Sequence, residues 1–365
     1  MATKMEEWLD GLRVPPGKKV NLKQDYDPGF TGKWVTKEEA DETLAADVQK
    51  LAKMQDMLYA QDNYAVLVIV QAMDAAGKDG TIKHVLSGVN PQGVDVHSFK
   101  VPAGEEVDHD YLWRNFIALP RRGHIGIFNR SYYEEVLVVR VHPEFVAGQR
   151  LPPSLKDDGI WKRRFKEINK FEKYLVNNGI VVVKFFLYVS KEAQKERFLE
   201  RALMPEKNWK FSAADVKERQ RWDDYMAAYE DVLSQTSTEW APWYVVPADQ
   251  KWFTHLAVGA VLNDTLEGLN LAYPALSEQQ KQILAAAVQE LRDETGGKKD
   301  EAVAEAEAKA AAEKRPQNPD GKDATPSLRS RASPQAGTAP RRRVRQAGPS
   351  GAKKKSKKKD KKKGK

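Results

Sequence analysis

Residues 71–85, QAMDAAGKDGTIKHV, place Gly77-Lys78 between an apolar run and a helix-like pattern. A Gly-rich turn at a helix N-terminus aims backbone N–H groups at a phosphate, and a lysine reaches the outer phosphates. The required context, a strand before and a helix after, is met. The loop departs from the usual G-x-x-x-x-G-K-[ST] in three ways: Ala72 stands at the first glycine, Asp79 follows the lysine, and Asp74 lies inside the turn. Gly80 and Thr81 offset the second departure by supplying a further glycine and a hydroxyl. A carboxylate beside a phosphate is repelled unless a cation intervenes. Mg²⁺ accepts a few carboxylates together with phosphate oxygens, so Asp74 is a candidate metal ligand. The plain alternatives are a chance Gly-Lys in a strand–turn–helix unit and an exposed turn aspartate.

A second cluster, GIFNRSYYEEVLVVRVHPE, spans residues 126–144. An apolar run stops at Phe128, and Asn129, Arg130, Ser131, Glu134, Glu135 and Arg140 follow at once. In open α/β sheets ligands bind beyond the carboxyl ends of the strands. The second metal-holding acid of a P-loop enzyme is expected here, but position 129 is Asn. Glu134, about one helical turn on, can supply the carboxylate instead, and Arg130 can neutralise a transferring phosphoryl group. The alternative for Glu134 and Glu135 is an ordinary helix start, where acids suit the dipole. A third cluster is basic: Arg197, Arg201, Lys207 and Lys210, with Trp209 among them. Phosphoryl transfer needs positive charge over the phosphates and exclusion of water, although a charge run is also what a solvated face looks like. Lys100, Arg114, Arg121 and Arg122 add positive charge near the second and third strand regions. The six histidines are scattered, and His84 and His142 read as packing or surface residues.

These residues need a scaffold. YAVLVIVQAM (64–73) is a continuous β-branched run, as in a strand buried on both faces of a parallel sheet. VDVHSF (94–99) fits weakly, HIGIFN (124–129) well, GIVVVKFFLYVS (179–190) strongly, and WYVVPA (243–248) is the fifth candidate. Helical patterns lie between them. Residues 36–61 open with a Thr36–Glu39 capping box. In WKRRFKEINKFEKYLVNNG, Trp161, Phe165, Ile168, Phe171 and Leu175 share one face. Strands alternating with helices predict a parallel α/β sheet. Residues 1–35 read as a turn-rich irregular arm, 36–270 as the main domain with a lid at about 197–235, 271–300 as a helical segment and 301–365 as disordered.

The net charge of +8 conceals an asymmetry. Residues 341–365 hold 14 Lys/Arg and one Asp, a charge of +13, so residues 1–340 carry −5. A basic-surface argument for nucleic acid therefore fails for the body, while the tail is a candidate contact for a polyanion. No cysteine is present, which excludes disulfides and Cys-ligated metals and suits a cytoplasmic location. No secretory leader and no membrane span are visible in the sequence.

AMDAAGKDGTIKHV, SGVNPQGVDVHSFKVP, DHDYLWR, GIFNRSYYEEVLVVRVHPE and PEKNWKFSAADVKER together resemble the family-2 polyphosphate kinases, over roughly residues 10–265. The resemblance implies a P-loop kinase fold of the thymidylate-kinase type, with a central parallel sheet, flanking helices and a helical lid. It implies Mg²⁺-dependent transfer, with Mn²⁺ as the alternative ion, between inorganic polyphosphate and a nucleotide. Many members carry D-R-S-W-Y-N where this chain has Asn129 to Glu134. The Asn-plus-Glu form is similar to the class III subgroup, which implies AMP and ADP as acceptors and ATP as the final product. Carried over by position, Asp74 and Glu134 hold the metal, Lys78 and Arg130 neutralise the moving phosphoryl group, and Asn129 positions phosphate or water. Ala75, Ala76, Gly77, Asp79, Gly80, Thr81, Lys83, Lys100, Arg114 and Arg140 make up the phosphate- and nucleotide-binding set. Arg197, Arg201, Lys207 and Lys210 act from the lid. A homodimer or tetramer is implied as well. An ATP-dependent P-loop kinase and a non-enzymatic polyanion binder are the two other readings.

Overall fold

The computed structural model describes residues 8–32 and 36–294. Five parallel strands form one sheet: β1 (Ala65–Ala72), β2 (Val94–Ser98), β3 (Ile125–Asn129), β4 (Ile180–Tyr188) and β5 (Trp243–Pro247), in the order β2-β3-β1-β4-β5. All five expected strands are present. β1 lies at the centre, with Val66 opposite Ile125 on one side and Val181 on the other. Burial on both faces explains its unbroken apolar run. β2 is an edge strand with Val96 half exposed, so its signal is weak.

Eight helices matter for the argument. These are α1 (Lys37–Gln61), α2 (Lys78–Val85), α3 (Ile160–Asn177), α4 (Lys191–Leu203), α5 (Ala213–Glu218), α6 (Trp222–Thr236), α7 (Lys251–Glu267) and α8 (Glu278–Glu294). α1 begins at the expected capping box: Glu39 N donates to Thr36 Oγ1 at 3.3 Å, and Thr36 N donates to Glu39 Oε2 at 2.8 Å. α7 is apolar on nearly every side and buried accordingly. It packs on α1, where Asn263 donates to Asp47.

Two expectations change. Residues 8–32 are largely irregular, as expected, but they pack into the body and do not stand off as an arm. Leu12, Val14, Val20 and Leu22 are buried in the main core, and Arg13 bridges to Tyr244 at the β5 edge. The turn-rich sequence concealed this because the apolar residues are too widely spaced to form a periodic pattern. The second half of the expected lid is also core: Tyr225, Tyr229, Val232 and Leu233 of α6 are buried. Of the expected lid, the stretch from Arg197 of α4 to Lys210 lines the cleft described below.

The chain divides into two units at Gln279/Gln280. Within the expected 271–300 segment, α8 forms a helix with Ile283, Leu284, Val288 and Leu291 exposed. The expected disordered segment 301–365, basic tail included, lies outside the described residues. Among the described residues no helix is long and apolar enough to cross a membrane.

Candidate active site

At the carboxyl end of β1 the chain turns through residues 73–77 into α2. Ala72 is the last residue of β1, paired with Leu187, so its backbone is extended. The left-handed conformations fall instead on Ala75, φ 61°, and Gly77, φ 111°. The glycine expected at 72 is therefore unnecessary, and the absence of a positive φ there accounts for Ala72. At Gly77 the constraint is the dihedral: a Cβ there would meet only Arg197 Nη1 at 3.9 Å.

Lys78, the first residue of α2, folds back over the loop and donates from Nζ to Ala72 O at 3.0 Å. Burial pushes its ammonium pKa down and nearby Arg130 pushes the same way, while Asp74, Glu134 and Asp79 oppose them. Beyond β3, Arg130 sits at φ 66°, its N–H tied to Val70 O at 3.1 Å. Non-glycine residues in this region carry strain, and such strain gathers at functional sites. Arg130 Nη2 donates to Asp74 Oδ1 at 2.8 Å, and Nη1 stands 3.8 Å from Glu134 Oε2. Burial lowers the guanidinium pKa, but the Glu134 and Asp74 carboxylates outweigh that and hold it above the usual arginine value. Glu134 is oriented from beneath by Gln71 of β1, whose Nε2 donates to Oε1 at 3.1 Å.

The P-loop, the ends of β2 and β3, α4, the lid stretch and the start of α7 enclose a cleft of about 830 Å³. Asp74, Ala75, Ala76, Gly77, Lys78, Asp79, Gly80, Thr81, Lys100, Asn129 and Arg130 line it, as do Arg197, Arg201, Lys207 and Lys210. Glu134 stands one layer deeper, behind Arg130. Asn129 Nδ2 donates to Asp79 Oδ1 at 2.7 Å, so Asp79 holds the end of β3 against the loop. Thr81 is buried and its hydroxyl donates to Gly77 O at 3.2 Å.

Several expected residues sit elsewhere. Lys83 is exposed on α2 and lies outside the cleft wall. Arg114 is buried over the Phe99 ring and donates to Lys100 O and Glu106. Arg140 pairs with Asp231 and covers Phe165. Both hold internal partners, and neither lines the cleft. Arg197 reaches the cleft, but not as a mobile lid residue. Its guanidinium is buried and donates to four carbonyls, those of Ala75, Ala76, Ala248 and Asp249. It braces the strained loop from the α4 side. In the lid, Lys207 pairs with Glu200, and Arg201 stands 3.7 Å from Asp215.

Sequence reading missed the α7 side of the cleft. Lys251, Thr254 and His255 line it, with His84 stacked on His255 at a centroid distance of 4.5 Å. The two histidines are 171 positions apart in sequence, and no local pattern joins them.

A phosphate-cradling loop at the centre of a parallel sheet, a lysine at its helix N-terminus and a lid carrying cations define a P-loop kinase-fold phosphotransferase. Residues 34–273 match the polyphosphate kinase 2 family. The chain belongs to that family. It is 49% identical over 289 residues to an ADP-polyphosphate phosphotransferase of Rhodopseudomonas palustris, covering 77% of this chain and 97% of that one. It is 44% identical over 273 residues to an AMP/ADP-polyphosphate phosphotransferase of Meiothermus ruber, covering 74% and 98%. The crystal structure of polyphosphate kinase 2 from Arthrobacter aurescens superposes with a TM-score of 0.70 at 40% identity, covering 76% of this chain and 95% of that one.

Proposed function

We propose that this protein transfers the terminal phosphoryl group of inorganic polyphosphate to AMP and to ADP, giving ADP and ATP, reversibly and with Mg²⁺. The observation that carries the reading is the convergence of Asp74 and Glu134, from two different strand ends, on Arg130 beside Lys78 in a cation-lined cleft. A nucleotide phosphate oxygen attacks the terminal phosphorus in line, and the bond to the bridging oxygen breaks. The shortened chain leaves with that electron pair. The attacking oxygen is already ionised near neutral pH, so no general base is required. Lys78, Arg130 and the amides opening α2 meet the charge on the moving group. Arg201 and Lys207 exchange their carboxylate partners for phosphates, and Lys210 leaves the Trp209 ring to join them, as the lid settles, which excludes water.

The donor set suits Mg²⁺. Among the described residues no group of three or more His, Asp or Glu forms a protein cage. Asp74 and Glu134 would hold the ion together with phosphate oxygens and water, as Mg²⁺ prefers, and the same oxygens accept Mn²⁺. The bound ion supplies Lewis-acid charge to the phosphoryl oxygens. AMP as well as ADP is proposed on the Asn129–Glu134 arrangement, which keeps the site's carboxylate while moving it five positions along the chain. A homodimer or tetramer and a cytoplasmic location belong to the same reading.

Phosphorylation of AMP, ADP, GMP and GDP by polyphosphate with Mg²⁺, read as formation of the corresponding di- and triphosphates, tests it. Product from AMP and ADP is expected; product only when ATP replaces polyphosphate as donor would make the protein an ATP-dependent kinase instead. Lys78→Ala and Asp74→Ala are each expected to lower kcat by about a hundredfold or more. Losses near zero would remove those residues from the roles assigned here.

A further inference from the structure

Against the turn that follows β3 lies a closed polar network with no solvent exposure. Lys184, on the central part of β4, and Glu172, on α3, are both fully buried. Lys184 Nζ donates to Glu172 Oε2 at 2.6 Å, to Thr236 O at 2.8 Å and to Tyr133 OH at 3.0 Å, which uses all three of its protons. Glu172 Oε1 accepts from Tyr132 OH at 2.9 Å and from Tyr133 OH at 2.8 Å. The Tyr133 ring packs edge-on to Trp243, and the Tyr132 ring edge-on to Phe171.

A buried ion pair is a poor device for stability alone, because an apolar pair of similar volume often serves as well or better. What this one grips is therefore informative. Tyr132 and Tyr133 lie between Arg130 and Glu134 in the chain. The single turn Tyr132–Val136 turns Tyr132, Tyr133 and Glu135 into the core, where Glu135 pairs with Arg164. Glu134 alone of those four faces Arg130. Ser131 Oγ accepts from Tyr133 N at 3.2 Å and closes the start of the turn. Arg130 holds its left-handed backbone immediately before this turn. Such a conformation persists where its surroundings over-determine it.

We propose that Lys184 and Glu172 are positioning residues for phosphoryl transfer: through the hydroxyls of Tyr132 and Tyr133 they fix the turn that aims Arg130 and Glu134 at the phosphoryl group. The kinetic consequence rests on the polyphosphate reading above; the geometric consequence does not. The fixed turn sets the Arg130–Glu134–Asp74 spacing before substrate arrives. A misplacement of about 1 Å at such a site costs about a hundredfold in rate.

The test uses Tyr132→Phe, Tyr133→Phe and the pair combined, which keep the rings and remove only the hydroxyls. Crystal structures of these variants are expected to show Glu134 displaced from Gln71 by about 1 Å or more, and kcat is expected to fall by about tenfold to a hundredfold with KM for both substrates little changed. Lys184→Met combined with Glu172→Leu, an apolar replacement for the pair, is expected to remain folded and to lose kcat to the same extent. Glu134 unmoved in the variant structures overturns the proposal, whatever the donor proves to be. Wild-type kcat in folded variants, with only the melting temperature lowered, also overturns it. A wild-type protein that makes no ATP from polyphosphate sinks the functional reading and leaves the structural arm to decide this one.

Discussion

At residue scale, the loop depends on two left-handed backbones, one on alanine and one on glycine. Ala75 at φ 61° bears a cost that glycine would not, and Arg197 offsets it by donating to the carbonyls of Ala75 and Ala76. Ala72 is an extended strand residue whose carbonyl already serves Lys78. Restoring the customary glycine at 72 is therefore predicted to cost about 0.5–1 kcal/mol through chain entropy, with no gain in rate. Ala75→Gly is predicted to be neutral or to stabilise by up to about 1 kcal/mol, because relief of strain opposes the entropy loss. Urea melts of the two variants check this; the opposite order would move the strained position to residue 72. Of the residues singled out in the sequence, Asp74, Lys78, Asn129 and Arg130 line one cleft, and Glu134 meets Arg130 from outside that lining. Arg114, Arg140 and Lys83 lie outside the cleft lining, which sequence could not foresee because a positive charge does not reveal where its side chain goes. Asp231, 91 residues on, takes Arg140, and Glu106, eight residues back, takes Arg114.

At element scale, the strands, α1 and α3 followed from hydrophobic period and capping, while α7 and the lid did not. α6 carries acids and polar residues in its first turn, as an exposed helix would, yet it is buried against the core on its aromatic face. α7 brings His255 against His84 on α2. Burial pushes the His255 imidazole pKa down to about 4, with His84 and Lys251 adding to the effect and Asp41 opposing it. The folded state thus holds His255 neutral where the unfolded chain protonates it, so the unfolded state binds more protons between about pH 6.5 and pH 4. The stability contribution is present above about pH 6.5 and is lost as pH falls toward about 4. Melting temperatures measured from pH 7 down to pH 4.5 are expected to fall less steeply in His255→Gln than in the wild type. Parallel slopes would take His255 out of the acid sensitivity.

At the scale of the whole molecule, charge is divided between an acidic body and a basic tail. The cleft draws its cations from the P-loop, β2, the lid and α7, all before residue 280. Ending the chain after residue 294 is predicted to leave kcat for ATP formation unchanged. The same truncation is predicted to flatten the salt dependence of KM for polyphosphate, because a run of lysines and arginines contributes screened, long-range attraction. A collapse of kcat would place the tail in the active site. The sequence by itself determined the parallel sheet, the phosphate loop, the paired change at 129 and 134 and the family, because these are written in local period and in short, ordered motifs. Only the tertiary structure decided which cations face the cleft, that residues 8–32 and α6 belong to the core, and that Lys184 and Glu172 hold Tyr132 and Tyr133 of the turn that carries Glu134. Each of those outcomes depends on partners far apart in the chain, whose pairing is set by burial and by the requirement that every buried charge be satisfied.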